Sequence, residues 1–472
     1  MPQWHQQTRV GPSLETGTSP GLLRQLGFTS ATALVVSNMV GIGIFATTGF
    51  MAGDLGDSRL ILLCWIVGAL FALCGALSYS ELGINFPSSG GEYVYLTRAY
   101  GPTWGFMTGW VSFFAGFSAP IALAALAFAD YVGYFFPAVK QANAQFTLGT
   151  GPLALRFGGA QLLGSALIAV FTILNCFGVG RAARVQNLLT ATKLIVIASF
   201  VVFGFLAGSG DWGHFSQTAT RTSQLSIPVQ FMVSLLWVMV GYSGWNAATY
   251  IAEELKQPER TLPLALATGT ALVTALFLAL NLLYIYSTPL ESMRGVVAVG
   301  SLAASNLFGP QIAGLFAGLM AVSITSTINA EVTVGPRVYY AMAKNRAFFK
   351  SAAVVNPRWH TPVAAILAQG VCAVLMTFTP FPQLMTYVGF SLTFFTVMSV
   401  ASLFRFRRTR GWQRTSPVSF AYPLIPGAYI LVGLGMMIYG VIWQPRASLT
   451  AAATIAAGVA VYHFSFAKRA AS

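Results

Sequence analysis

The stretch Ser37-Asn38-Met39-Val40-Gly41-Ile42-Gly43-Ile44-Phe45 governs the reading of this chain. It lies midway along a charge-free run bounded by Arg24 and Asp54, and it sets two glycines where a membrane helix would otherwise run unbroken. Glycine is a poor helix former. Unpaired backbone is expensive in lipid and persists only where it lines a cavity or is buried in protein. A second such stretch, Val240-Gly241-Tyr242-Ser243-Gly244-Trp245-Asn246, interrupts another apolar run, five spans further on. Matching glycine-interrupted segments in two halves of a membrane protein point to the binding site of a carrier. The competing reading is a packing motif, because small residues let membrane helices approach closely.

The rest of the composition agrees with a membrane setting. Of 472 residues, 56% are hydrophobic and 8% charged, against about 25% charged in soluble domains. That excludes a soluble enzyme, a disordered protein and a disulfide scaffold. The net charge of +14 does not imply nucleic acid, because no basic segment carries interleaved aromatics outside the apolar runs. Cys64, Cys74, Cys176 and Cys372 all fall inside apolar runs and read as packing residues. Residues 1–20 are polar and read as a disordered cytoplasmic tail. Residues 21–470 then form a single transmembrane domain.

Charge-free runs near the 20 residues needed to cross a bilayer number twelve, with Pro380 and Pro382 dividing one long run into the ninth and tenth. The fold expected is an all-α membrane protein of twelve helices. Repeats of five spans have an odd number of crossings, so the second is inverted relative to the first. Repeat one covers about 25–210, repeat two about 225–405, and helices eleven and twelve about 420–467. With both termini cytoplasmic, Arg59, Lys140, Arg156, Arg221, Arg294 and Arg446 lie outside and Lys193 within a span. The remaining nineteen of the 26 Lys and Arg lie inside, the bias that orients multi-pass proteins of the cell membrane.

The breaks would expose amides at half-helix N-termini, which suit a carboxylate, and carbonyls, which suit an ammonium group. A zwitterionic amino acid carries both. Two charges sit deep in the spans, where ionisable groups mark function. Lys193 is nine residues past Arg184, about 13 Å along a helix, and Glu331 is six before Arg337, about 9 Å. The two are expected to meet at similar depth. Lys193 would tie span five to the broken first span and to span eight. Glu331, read as the only deep carboxylate, would be its counter-ion or proton partner, with a fixed structural ion pair as the alternative. Ser323, Ser326 and Thr327 could line the site, although such hydroxyls more often bond their own helix. Tyr242 and Trp245 could wall it. Asp130 is expected near the outer surface and solvated, and Glu253 and Glu254 in a cytoplasmic salt bridge or gate. A membrane enzyme is set aside, since no nucleophile–base pair or HExxH motif is present.

These residues make the chain similar to the amino acid–polyamine–organocation superfamily, and it most closely resembles its L-type amino acid transporter branch. The resemblance rests on Gly41-Ile42-Gly43-Ile44-Phe45, Tyr79-Ser80-Glu81-Leu82, Phe86-Pro87-Ser88-Ser89-Gly90-Gly91-Glu92-Tyr93, Gly244-Trp245-Asn246 with Glu253-Glu254, and Gly335-Pro336-Arg337-Val338-Tyr339-Tyr340-Ala341-Met342. It implies alternating access. The amides of Gly41, Ile42 and Gly43 would hold the substrate carboxylate, and carbonyls near Met39 and Val240, with Ser243, the amine. Lys193 matches the lysine that replaces the sodium ion of sodium-dependent relatives. Ile42 departs from the usual small hydroxyl residue, and Val240 from a gating aromatic that Trp237 could replace. The loop 135–156 lacks the cysteine by which relatives join an animal heavy chain, so no disulfide-linked heavy chain is expected. The function implied is sodium-independent transport of neutral L-amino acids as an exchanger or proton-coupled symporter, with no cofactor or metal. The alternative is a polyamine or cationic amino acid carrier.

Overall fold

The computed structural model describes residues 26–466 apart from 88–90, 149–154, 178, 345 and 360. The tail 1–20 lies outside the described residues, as do the side chains of Glu253 and Glu254.

The first span is two helices, α1 (Phe28–Met39) and α2 (Gly43–Leu55), bent by 41° at residues 40–42. Propagation stops where Gly41 N–H turns back on Met39 O at 2.8 Å instead of reaching a carbonyl four residues earlier. Helix α3 (Ser58–Asn85) starts on Asp57, whose carboxylate accepts from the amides of Arg59 and Leu60. That satisfies amides which the helix itself leaves bare. A short α4 (Glu92–Tyr100) precedes the third span, α5 (Pro102–Val111) and α6 (Ala119–Val132), which are joined by a π-helical segment, Ser112–Ser118. Then come α7 (Gly159–Cys176), α8 (Val179–Ala207) and α9 (Ile227–Gly241). Beyond α9 the backbone turns, Gly244 takes φ +93°, and a 3-10 helix covers Ala247–Glu254. The chain continues through α10 (Pro258–Ser287), α11 (Leu290–Met293), α12 (Val299–Phe308), α13 (Pro310–Lys344), α14 (Val363–Met376) and α15 (Phe381–Phe406). It closes with α16 (Ser416–Phe420), α17 (Leu424–Trp443) and α18 (Pro445–Ser465).

Among the described residues nine helices are long and apolar enough to cross a membrane, ten with the bent α1–α2 pair. The expected sixth and ninth spans are represented by the shorter apolar helices α9 and α14. Broad apolar surfaces on these helices face outward, through Leu162, Val170, Leu206, Leu315 and Leu431. In a multi-pass membrane protein such surface meets lipid. Two features were not expected. The apolar helix α12 stands ahead of α13, and an antiparallel hairpin pairs β1 (Phe146–Leu148) with β2 (Leu155–Phe157) in the otherwise helical chain. Asp130 also departs from the solvated position expected of it. Its carboxylate accepts from both the amide and the side chain of Gln141, so it anchors the loop after α6.

Packing converges on the breaks. Helix α1 runs along α10, α2 along α9, and α13 along α6 and α8. The bundle is tight where α2 meets α9. A Cβ on Gly43 would stand 2.2 Å from Gly241 Cα, so the two backbones touch. A Cβ on Gly244 would stand 2.9 Å from the Asn38 backbone. The two interrupted helices therefore meet at both levels, each contact possible only without a side chain.

Candidate functional site

A helix end leaves carbonyls and amides without partners. At the end of α1, Val40 O receives Lys193 Nζ at 2.6 Å, and Ser37 O lies 3.5 Å from the same ammonium. Lys193, 1% exposed, thus reaches from α8 and occupies the carbonyls that the break frees. Gly41 stands 3.9 Å, through a notional Cβ, from the Thr327 methyl of α13, so that helix also borders the break.

The expected donors and acceptors divide. The Gly41 amide is already used on Met39 O, which is thereby engaged too. The amides of Ile42, Gly43 and Ile44 begin α2 with no backbone acceptor among the described residues. They point from a helix N-terminus, where the dipole favours an anion. On the other break, Val240 O accepts the Ser243 amide at 3.2 Å and its hydroxyl at 2.8 Å. Ser243, Gly244 and Gly41 are half-buried and Asn38 is exposed, so the α1 side of the breaks is reachable.

Tyr242 and Trp245 do not wall this space as expected. Tyr242 is buried against Trp65 and Phe277, with its hydroxyl on Trp65 O. Trp245 packs edge-on to Tyr79. Trp237 belongs to the α2 side of the breaks: its indole N–H donates to Thr386 at 3.0 Å, and Phe50 is held between Trp237 and Phe381. Outside this aromatic layer lies a cavity of about 400 Å³ lined by Phe50, Asp54, Thr222, Glu291 and Arg294.

Glu331 lies within electrostatic reach of Lys193. The two form no ion pair within 4.0 Å. Among the described residues the ion pairs are Arg407–Glu81, Arg294–Glu291 and His214–Asp211. The hydroxyls of Ser323 and Ser326 bond carbonyls of their own helix, Leu319 O and Ser323 O.

Two further acids are buried, which corrects the reading of Glu331 as the only deep carboxylate. Glu81, at the end of α3, receives Arg407 through Nε (2.7 Å) and Nη2 (2.5 Å), Trp412 Nε1 (2.8 Å) and the Thr415 amide (3.1 Å). Glu92, opening α4, receives the hydroxyls of Tyr79 and Tyr250 and the amide of Asn246. Both glutamates occur in the quoted motifs. What could have singled them out is a lone acid within an apolar, aromatic context.

A polytopic helical membrane protein, two interrupted helices crossing at its centre, and a lysine capping one break together define a membrane transport protein. The chain belongs to the amino acid permease family, whose model matches residues 26–464. Its relatives include the serine/threonine exchanger SteT of Bacillus subtilis (strain 168), 29% identical over 88% of this chain and 91% of that protein. The large neutral amino acids transporter small subunit 2 of Homo sapiens is 27% identical, covering 95% and 82%. The b(0,+)-type amino acid transporter 1 of Mus musculus is 28% identical, covering 90% and 84%. These relatives are transporters and exchangers by name, not enzymes.

Proposed function

We propose that this protein is a sodium-independent secondary transporter of L-amino acids, neutral ones by preference, working by alternating access as an exchanger or a proton-coupled symporter. Residues 21–470 act as one domain of twelve spans in the cell membrane, with repeats at about 25–210 and 225–405, helices at about 420–467 and both termini cytoplasmic. The observation that carries this reading is the pair of crossing breaks. Free amides of Ile42, Gly43 and Ile44 suit a carboxylate, and the half-buried Ser243 side of the second break suits an amine. Gly41, Met39 and Val240 shape the turns and use their own polar groups within them. The sealed Gly43–Gly241 contact and the exposed Asn38 fit a carrier open to the inside.

Lys193, on Val40 O, supplies the positive charge that sodium would otherwise supply. Glu331 sits near enough to balance it, and Ser326 stands on the same helix. A cationic substrate would need an acid open to the breaks; Glu92, beside the second break, spends its oxygens on Tyr79, Tyr250 and Asn246, and the charge at the first break is the ammonium of Lys193. With no cysteine in 135–156, the chain is proposed to act without a disulfide-linked heavy chain.

Uptake in proteoliposomes across a panel of amino acids tests the reading, with and without internal amino acid, sodium and a pH gradient. Saturable uptake of neutral L-amino acids, unchanged by removing sodium, is expected. Exchange would add stimulation by internal amino acid, and symport a response to the pH gradient. Uptake only of putrescine or arginine, or strict dependence on sodium, would overturn it.

A further inference from the structure

Glu92 is an acid with no cation. Tyr79 and Asn246 both donate to its Oε1, at 3.0 and 2.8 Å, and Tyr250 donates to Oε2 at 2.8 Å. No Lys, Arg or His lies within ion-pair distance among the described residues. The groups facing it are phenols and one amide: Tyr79 from α3, Tyr95 from its own helix, Asn246 and Tyr250 from the second break and the 3-10 helix after it, and Tyr429 from α17. An ionised carboxylate accepts all three bonds as charge-assisted ones, whereas a neutral carboxyl must turn one of them round and donate to a tyrosine hydroxyl. Asn246 can only donate through its Nδ2, so on protonation its bond to Oε1 loses the carboxylate charge and weakens to a neutral one.

The placement matters more than the count of bonds. Asn246 directly follows Ser243-Gly244-Trp245, and Tyr250 is one turn further on. Glu92 therefore ties the segment just beyond the second break to α3 and α4. Gly91 permits the approach: its φ is +47°, and a Cβ there would meet the Tyr250 ring at 2.6 Å. We propose that Glu92 is a proton-controlled latch that positions the Tyr242–Asn246 turn, set when the carboxylate is ionised and released when it takes up a proton. It is a positioning residue, acting on the substrate through that turn, and the inference rests on the transport reading above.

The electrostatics set the sign of the response. Burial raises the Glu92 carboxyl above the ordinary glutamate value, while the bonds from Tyr250, Tyr79 and Asn246 hold it back. The latch is set above that raised pKa and lost as pH falls through it. Losing one donor moves the pKa further up, so the release shifts to higher pH.

Hydrogen exchange over residues 241–254 of the full chain, corrected for the intrinsic pH dependence of exchange, reads the latch without any substrate. Wild type should lose protection several-fold as pH falls. Glu92→Gln should be poorly protected at every pH, and Tyr250→Phe, which keeps the acid, should show the same loss with its midpoint moved to higher pH. Uptake adds a second readout: KM for a neutral amino acid should rise several-fold as cytoplasmic pH falls, with little change in the maximal rate, and Glu92→Gln should show the raised KM throughout. Equal protection in wild type and Glu92→Gln, or an unmoved midpoint in Tyr250→Phe, would overturn the latch. If wild type transports no amino acid while the exchange results hold, the transport reading fails and the latch stands.

Discussion

Lys193 shows what a single residue does in this protein. A buried ammonium on Val40 O and near Ser37 O stabilises the free end of α1 without closing the gap into a helix. Replacing it with methionine keeps the length and leaves the Val40 carbonyl unsatisfied, a cost of about 1–3 kcal/mol. Uptake by Lys193→Met should fall about tenfold or more, since about 1.4 kcal/mol is tenfold in an equilibrium. Glu331→Gln should reduce it as well, and wild-type uptake in both variants would remove this pair from the mechanism. The Glu81–Arg407 pair is different in kind. It is fully buried at the carboxylate and bidentate. Breaking such a pair leaves an uncompensated charge and costs about 3–5 kcal/mol, whereas replacing both partners costs far less. Thermal unfolding in detergent should therefore show Arg407→Met strongly destabilised and the Glu81→Gln/Arg407→Met double variant largely recovered. A double variant no better than the single one would show that packing, not charge, holds the loop.

At the level of elements, the two interrupted helices depend on absent side chains. Gly43 and Gly241 touch through backbone, so a methyl on Gly43 must push α2 and α9 apart, while one on Gly241 meets the Trp65 ring at 2.8 Å. Gly43→Ala should leave a folded, monodisperse protein with uptake reduced at least tenfold, because the α2–α9 contact could no longer close. Gly427→Ala is the control: a Cβ there meets nothing within 4 Å, and inside α17 alanine is favoured over glycine by up to about 1 kcal/mol. Normal uptake by Gly43→Ala would show that the contact is not needed for the transport cycle.

Across the whole molecule the two sides differ. The side that the proposed orientation places outside is closed by Gly43–Gly241 and by Phe50 between Trp237 and Phe381. On the side that it places inside, Asn38 is exposed and Ser243 half-buried. In a chain lacking its native cysteines, Asn38→Cys and Ser243→Cys should react with a membrane-impermeant thiol reagent from the cytoplasmic face and not from outside. Saturating neutral amino acid should slow the Ser243→Cys reaction. Labelling from outside at equal rates would contradict an inward-open resting state.

Much of this architecture is written in local pattern. Hydrophobic runs, prolines and the two interruptions, Gly-x-Gly at 41–43 and Gly-x-x-Gly at 241–244, mark the spans and breaks, because a helix in lipid must satisfy its own backbone and glycine is where it can fail to. Lys193 was equally visible, as a charge in an apolar run. Pattern could not say which polar group each freed atom meets. Gly41 spends its amide on Met39, so the open amides begin at Ile42, and Tyr242 and Trp245 turn into the packing rather than the cavity. Nor could it show Glu92 beneath the second break, because Tyr79, Asn246 and Tyr250 lie up to 158 positions away along the chain. Spacing encodes which backbone groups go free. Which neighbour claims them depends on contacts between segments remote in sequence, and those exist only once the helices have packed.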